Sequence, residues 1–198
     1  MIQGYPVLFL NGTSSAGKTT IAKAFQMQWS KPTLYASIDS FIFMFPQHVL
    51  DDDEVRKKAL WPLVAAFNKS LPNIVECGFP VIIDYVLESR IWLDRCLDSL
   101  SGYEVFFVGV KCSIEELEKR EKERGDRQIE FARWQYDRVH QYGEYDLTID
   151  TERSSPEESA QKLCELLVSG TKPRAFEGLR NERAANVAVD STSVSVPH

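Results

Sequence analysis

"FLNGTSSAGKTT", residues Phe9 to Thr20, breaks an apolar run into small polar residues and glycines and closes on a lysine and two threonines. The spacing Gly12-x-x-x-x-Gly17-Lys18-Thr19 is that of a glycine-rich loop shaped to hold phosphate. Its surroundings fit. Pro6 to Leu10 reads as a short buried strand, and beyond Lys18 the residues Ile21, Phe25 and Trp29 recur four apart, as on one helix face. Glycines let successive backbone N–H groups turn inward, and a helix start adds unpaired N–H groups and the positive end of its dipole. Lys18 is placed to reach the β- and γ-phosphates of a nucleotide, and the Thr19 hydroxyl to ligate Mg²⁺. The expected nucleotide-binding set is Gly12, Thr13, Ser14, Ser15, Ala16, Gly17, Lys18, Thr19 and Thr20. The competing interpretation, a turn with an incidental lysine, does not account for the strand before the loop and the helix after it.

Outward from the loop, strand and helix textures alternate. "TLYASI" reads as a second strand ending at Asp39, and "SFIFMFPQH" fits either a short helix or a loop. Residues 51–78 are helical in texture and acidic at their start, with Leu60, Leu63, Val64, Phe67 and Leu71 on one face; Pro62 and Pro72 are expected to kink this stretch or start new segments. "FPVIIDYV" is a strand covered on both faces, "YEVFFVGVKC" a fourth and "YDLTIDT" a fifth. A helix through Ile91, Trp92 and Leu97 separates the third and fourth strands. Ser113 to Glu116 and Ser155 to Glu158 both have the form of capping boxes, the second with Pro156 at the first helical position. Gly125 breaks the helix that begins after Ser113, and a further helix carries Ile129, Ala132, Tyr136 and Val139 on one side. The pattern predicts an α/β three-layer sandwich, with a five-stranded, mostly parallel sheet between helices. One domain is expected over residues 1–170, and residues 171–198, ending in "DSTSVSVPH", are expected to be an unstructured tail.

A net charge of −6 argues against a nucleic-acid partner held by bulk electrostatics. Cys77, Cys96, Cys112 and Cys164 form no Cys-x-x-Cys pair, so a zinc site is not expected, and their natural role is as buried small hydrophobes. No apolar stretch approaches the length of a membrane span. The expectation is a cytoplasmic protein with no membrane partner; its oligomeric state, homo-oligomer included, is left open.

Phosphate binding does not by itself name a reaction. The guanine-reading pattern Asn-Lys-x-Asp fails, since Asn68-Lys69 is followed by Ser70-Leu71. Motor-type ATPases set a second carboxylate beside the strand-end aspartate, but Asp84 is followed by Tyr85 and Val86. That leaves Asp39 and Asp84 at strand ends facing the loop, where ligands of open parallel sheets bind. Either carboxylate could hold the metal's water or orient and deprotonate an acceptor hydroxyl; Asp39 could equally cap a helix. Arg120, Arg124 and Arg127 form a basic segment around the Gly125 hinge, suited to closing over a nucleotide as a lid across residues 120–127; the plainer alternative is a solvated helix end paired with Glu116, Glu121 and Glu123.

Taken in order over about Pro6 to Thr151, "LNGTSSAGKTT", "SIDSF", "PVIIDYV", "VFFVGVKCSIEELEKREKERGDR" and "QYDRVHQYGEYDLTIDT" resemble the chloramphenicol phosphotransferase-like proteins, a branch of small P-loop kinases. The resemblance implies an adenylate-kinase-like P-loop sheet and transfer of the γ-phosphoryl group of ATP to a small-molecule hydroxyl. It makes Asp39 the base, gives Lys18 and Thr19 to ATP and Mg²⁺, and makes the arginine segment the lid; Asp84, from its place at the strand end, is the second expected metal-side residue. Asp150 and Thr151 would lie near the adenine. Tyr85 stands where the family pattern has a second aspartate, and residues 41–59 do not match its acceptor region. Phe41, Phe43, Met44, Phe45 and Trp61 could line an apolar acceptor pocket or fill the core. The substrate alternatives are an antibiotic, a nucleotide, a sugar acid or an activated sugar in the manner of zeta-like toxins. A nucleotide-sensing module without an acceptor is the non-enzymatic alternative, and ATP against GTP is undecided.

Overall fold

The computed structural model describes residues 5–124, 131–142 and 144–192. In chain order the elements are β1 (Val7–Asn11), α1 (Lys18–Gln28), β2 (Leu34–Ser37), α2 (Ile38–Ile42), α3 (Gln47–Leu50), α4 (Asp53–Val75), β3 (Val81–Tyr85) and α5 (Arg90–Ser99). They continue with β4 (Val105–Lys111), α6 (Ile114–Arg124), α7 (Phe131–Val139), β5 (Leu147–Asp150), α8 (Pro156–Val168) and α9 (Ala175–Thr192). The five strands form one sheet in the order β2-β3-β1-β4-β5, and every pairing is parallel.

Strand side chains alternate between two cores. Val7 and Phe9 of β1 point to the side covered by α4, α5 and α9, where they meet Phe67, Leu97, Phe107 and Phe176. Leu8 and Leu10 point to the side covered by α1, α6 and α8, beside Ile21, Phe25, Leu117 and Leu163. The chain leaves β1 through α1 to the edge strand β2, returns to β3, and then crosses to β4 on the other side of β1. Such a reversal opens a crevice beyond the carboxyl end of the central strand. The glycine loop starts there, directly after Asn11.

The structure departs from the sequence reading in several places. α9 occupies Ala175–Thr192, where an unstructured tail was expected. Phe176 and Leu179 are buried against the sheet, Arg180 donates from Nε and Nη2 to the carbonyls of Leu97 (3.0 Å) and Leu100 (2.6 Å), and Arg183 donates from Nη1 to the Asp94 carbonyl (3.1 Å), so two apolar anchors and two arginines dock it. α4 runs unbroken through Pro62 and Pro72. Pro62 lies on an exposed face, so water can satisfy the carbonyl one turn back that lacks its N–H partner. β2 stops at Ser37, whose Oγ accepts the Asp39 N–H at 3.3 Å; Asp39 therefore sits in the first turn of α2 rather than at a strand end. The box at Ser155 is complete, but the one at Ser113 is half made. The Ser113 N–H donates to Glu152, and Glu116 is taken by Arg120. Among the described side chains of α7, Gln135 and Val139 are buried while Tyr136 is exposed; Ile129 and the side chain of Ala132 lie outside what is described. Cys96 and Cys112 are buried as expected, but Cys77 is exposed.

Candidate active site

The loop between β1 and α1 turns twice through left-handed backbone, at Ser15 (φ 61) and Gly17 (φ 92). Alternation of this kind aims successive N–H groups into one concavity. Gly17 caps α1 with no side-chain bond, so the helix's first N–H groups face the cleft without a side-chain acceptor from the cap. Gly12 has a different reason: a Cβ there would lie 2.4 Å from the Val110 carbonyl oxygen, so glycine is demanded by packing on β4. Ala16 is buried in the core beneath the loop. Lys18 is only 6% exposed; its Nζ donates to the carbonyls of Gly12 (3.0 Å) and Thr13 (2.8 Å) and lies 3.8 Å from Asp84.

Asp84, near the carboxyl end of β3, gathers donors. Thr19 Oγ1 donates to its Oδ2 at 2.7 Å, and so does the Tyr35 hydroxyl at 2.8 Å. Burial, then the Asp84 charge, pushes the Tyr35 phenol up to about 12, so it remains a donor at neutral pH. Thr19 and Asp84 thus present a hydroxyl and a carboxylate side by side, a hard-oxygen pair that fits Mg²⁺ when phosphate and water complete the shell. Among the described residues no cluster of three His, Cys, Asp or Glu side chains could hold a metal alone.

These groups line a cleft of about 450 Å³. Ser14, Ser15, Gly17, Lys18, Thr19, Thr20, Asp39, Asp84, Arg120 and Thr151 all lie on its walls. Asp39 therefore faces the phosphate loop across one space. Arg120 donates from Nη1 and Nη2 to the Thr151 hydroxyl (3.1 Å) and carbonyl (3.2 Å), and from Nε to Glu116 (2.9 Å), whose carboxyl it holds below the usual range. It is at once paired, as the plain alternative had it, and placed on the cleft wall. Arg124 ends α6, and Arg127 lies outside the described residues. Asp150 directs its carboxylate into its own turn, accepting the Glu152 N–H at 3.0 Å and pairing with Arg153 at 3.3 Å. In the expected acceptor region, Phe41 packs on Phe67 while Phe43, Met44 and Trp61 are exposed, Trp61 edge-on to Trp92. Phe41 thus joins the edge of the core, as the core alternative had it, whereas Phe43, Met44, Phe45 and Trp61 lie exposed.

A polar network behind the loop had no distinct signal in the sequence. Asn11 Nδ2 donates to the Val139 carbonyl (2.8 Å) and the Tyr145 hydroxyl (2.9 Å), and its Oδ1 accepts the Leu87 N–H (3.0 Å). His140 Nδ1 lies 2.7 Å from the same hydroxyl, and burial, helped by Lys111 and Lys18, brings its imidazole down to about 4. Gln135 Oε1 accepts the Ser14 N–H at 2.7 Å, and its Nε2 donates to Glu88, whose carboxyl is raised by burial. Apolar periodicity cannot flag a glutamine or asparagine that is buried by pairing.

Residues 6–168 match the profile of a family described as "Chloramphenicol phosphotransferase-like protein". A protein of Mycobacterium tuberculosis strain H37Rv, provisionally named an O-phosphotransferase, is 32% identical over 196 residues, spanning 88% of this chain and 87% of its own. Among solved structures, a sugar kinase from Janibacter sp. superposes with a TM-score of 0.62 at 20% identity, over 82% of this chain and 94% of its own. The Mycobacterium tuberculosis APS kinase, solved with AMPPNP and APS, superposes with a TM-score of 0.63 at 15% identity, over 83% and 98%. At those identities the two structures speak for the fold.

Proposed function

The chain belongs to the chloramphenicol phosphotransferase-like family, and from that premise we propose that it is a kinase that moves the γ-phosphoryl group of ATP to a hydroxyl of a small molecule. The observation that carries this reading is the placement of Asp39 on the same cleft as Lys18, Thr19 and Arg120. A carboxylate facing a phosphate loop suits a base toward an acceptor hydroxyl, and the cleft needs no water-activating pair. The provisional name of the mycobacterial relative, an O-phosphotransferase, agrees with an oxygen acceptor.

In this reading the N–H groups from Ser15 to Thr19 hold the phosphates, and Lys18 turns from its loop carbonyls toward the β- and γ-oxygens. Thr19 and Asp84 would hold Mg²⁺, which would supply charge neutralisation for the transferring phosphoryl group. Arg120 neutralises charge on the nucleotide side, beside Thr151. Asp39 orients the acceptor hydroxyl and takes its proton as transfer proceeds. In this reading the protein draws on the ATP of the cytoplasm.

The test is a coupled ADP-release assay over a panel of antibiotic and metabolite hydroxyls, with Asp39→Asn in parallel. Acceptor-dependent turnover that falls by about 10²–10⁴-fold in the variant, with nucleotide binding kept, supports the reading. Undiminished turnover in the variant removes Asp39 from its role.

A further inference from the structure

Gln135 projects from α7 with 1% of its surface exposed, and its side-chain amide is used at both ends. Its Oε1 accepts the Ser14 N–H at 2.7 Å, and its Nε2 donates to Glu88 Oε1 at 2.5 Å. A peptide N–H only donates and an ionised carboxylate only accepts, so this orientation of the amide satisfies both partners. The Thr13–Ser14 peptide is thereby gripped from two sides: its carbonyl accepts from Lys18 Nζ at 2.8 Å and, at the longer distance of 3.3 Å, from the Ala16 N–H, and its N–H is held by Gln135. The backbone turns left-handed at the next residue, Ser15, so the tilt of this peptide sets the aim of the N–H groups that follow.

We propose that Gln135 is a positioning residue for the phosphate loop, keeping the Thr13–Ser14 peptide in place when Lys18 turns to phosphate. The inference rests on the kinase reading, because only a bound nucleotide draws Lys18 from the loop carbonyls. α7 packs against α6, which bears the Arg120 that lines the cleft, so Gln135 also ties the loop to the helix pair that carries this arginine.

A calorimetric titration of MgATP into the full chain, with melting temperature measured without nucleotide, tests this in three proteins: wild type, Gln135→Glu, and the exchanged pair Gln135→Glu with Glu88→Gln. The groups facing the pair are Arg138 on α7, Lys18 across the peptide, and Tyr142, whose hydroxyl donates to the Glu88 carbonyl at 3.3 Å. In Gln135→Glu two carboxylates meet and must share a proton. Affinity is expected to match wild type near about pH 5.5 and to fall about tenfold below it near about pH 8.5, as that proton leaves and the new carboxylate withdraws from Ser14. In the exchanged pair the carboxylate accepts from both Ser14 and the amide now at position 88, so affinity returns to the wild-type value at both pH values. Gln135→Glu with wild-type affinity at both pH values would overturn the proposal, as would an exchanged pair left as weak as the single variant. Melting temperatures that drop while affinity holds assign Gln135 to packing alone and also overturn it. If Gln135→Glu does not fold, the exchanged pair still decides, by its affinity at high pH. A wild-type protein that takes up no MgATP defeats the kinase reading itself, an outcome distinct from all of these.

Discussion

Lys18 holds two loop carbonyls and faces Asp84, so its removal acts on the phosphates and the metal pair together. Lys18→Ala is expected to weaken MgATP binding by at least about 10- to 100-fold, read as loss of the nucleotide-induced rise in melting temperature. Gly12→Ala is expected to destabilise the fold by at least about 1–3 kcal/mol in urea unfolding, because the new methyl meets the Val110 carbonyl, which belongs to a strand and cannot move aside cheaply. His140 gives a pH signature. Its imidazole is held near 4 in the folded chain against 6.5 in the unfolded, so the unfolded state binds the extra proton between those values. Its contribution is therefore intact above about pH 6.5 and is lost as pH falls toward 4; His140→Gln is expected to flatten that acid limb in a melting-temperature series.

At the scale of elements, the loop, its strand and its helix were legible because glycine spacing and apolar periodicity are local signals. Asp39, Asp84 and Arg120 were legible as types and lie on one cleft, yet Asp39 arrives there from the first turn of a helix. Tyr35, Gln135 and Asn11 were not legible, since each gains its role from a partner far along the chain, as Gln135 does from Ser14, 121 positions away. α9 was missed for a related reason: its buried apolar residues are Phe176 and Leu179, too sparse a pattern to register as a helix face, and its polar anchors, Arg180 and Arg183, find partners on α5 and just beyond it. Phe176 packs on Phe9 and Phe107, with ring centroids 5.2 and 5.1 Å apart. Phe176→Ala is therefore expected to cost about 3–5 kcal/mol in denaturant unfolding, a loss that an unstructured tail could not produce.

For the whole molecule, the order β2-β3-β1-β4-β5 brings the site together. It sets β1 beside β3, so the loop opens next to Asp84, and it places β4 and β5 where Thr151 and Arg120 close the other wall. The chemistry assigned to this crevice depends on main-chain N–H groups and one lysine gripping a triphosphate. The most direct measurement is a calorimetric titration of MgATP into the wild-type chain and into Lys18→Ala. One saturable site in the wild type, lost in the variant, is the expected result; no heat from the wild type, or equal heat from both, would contradict it.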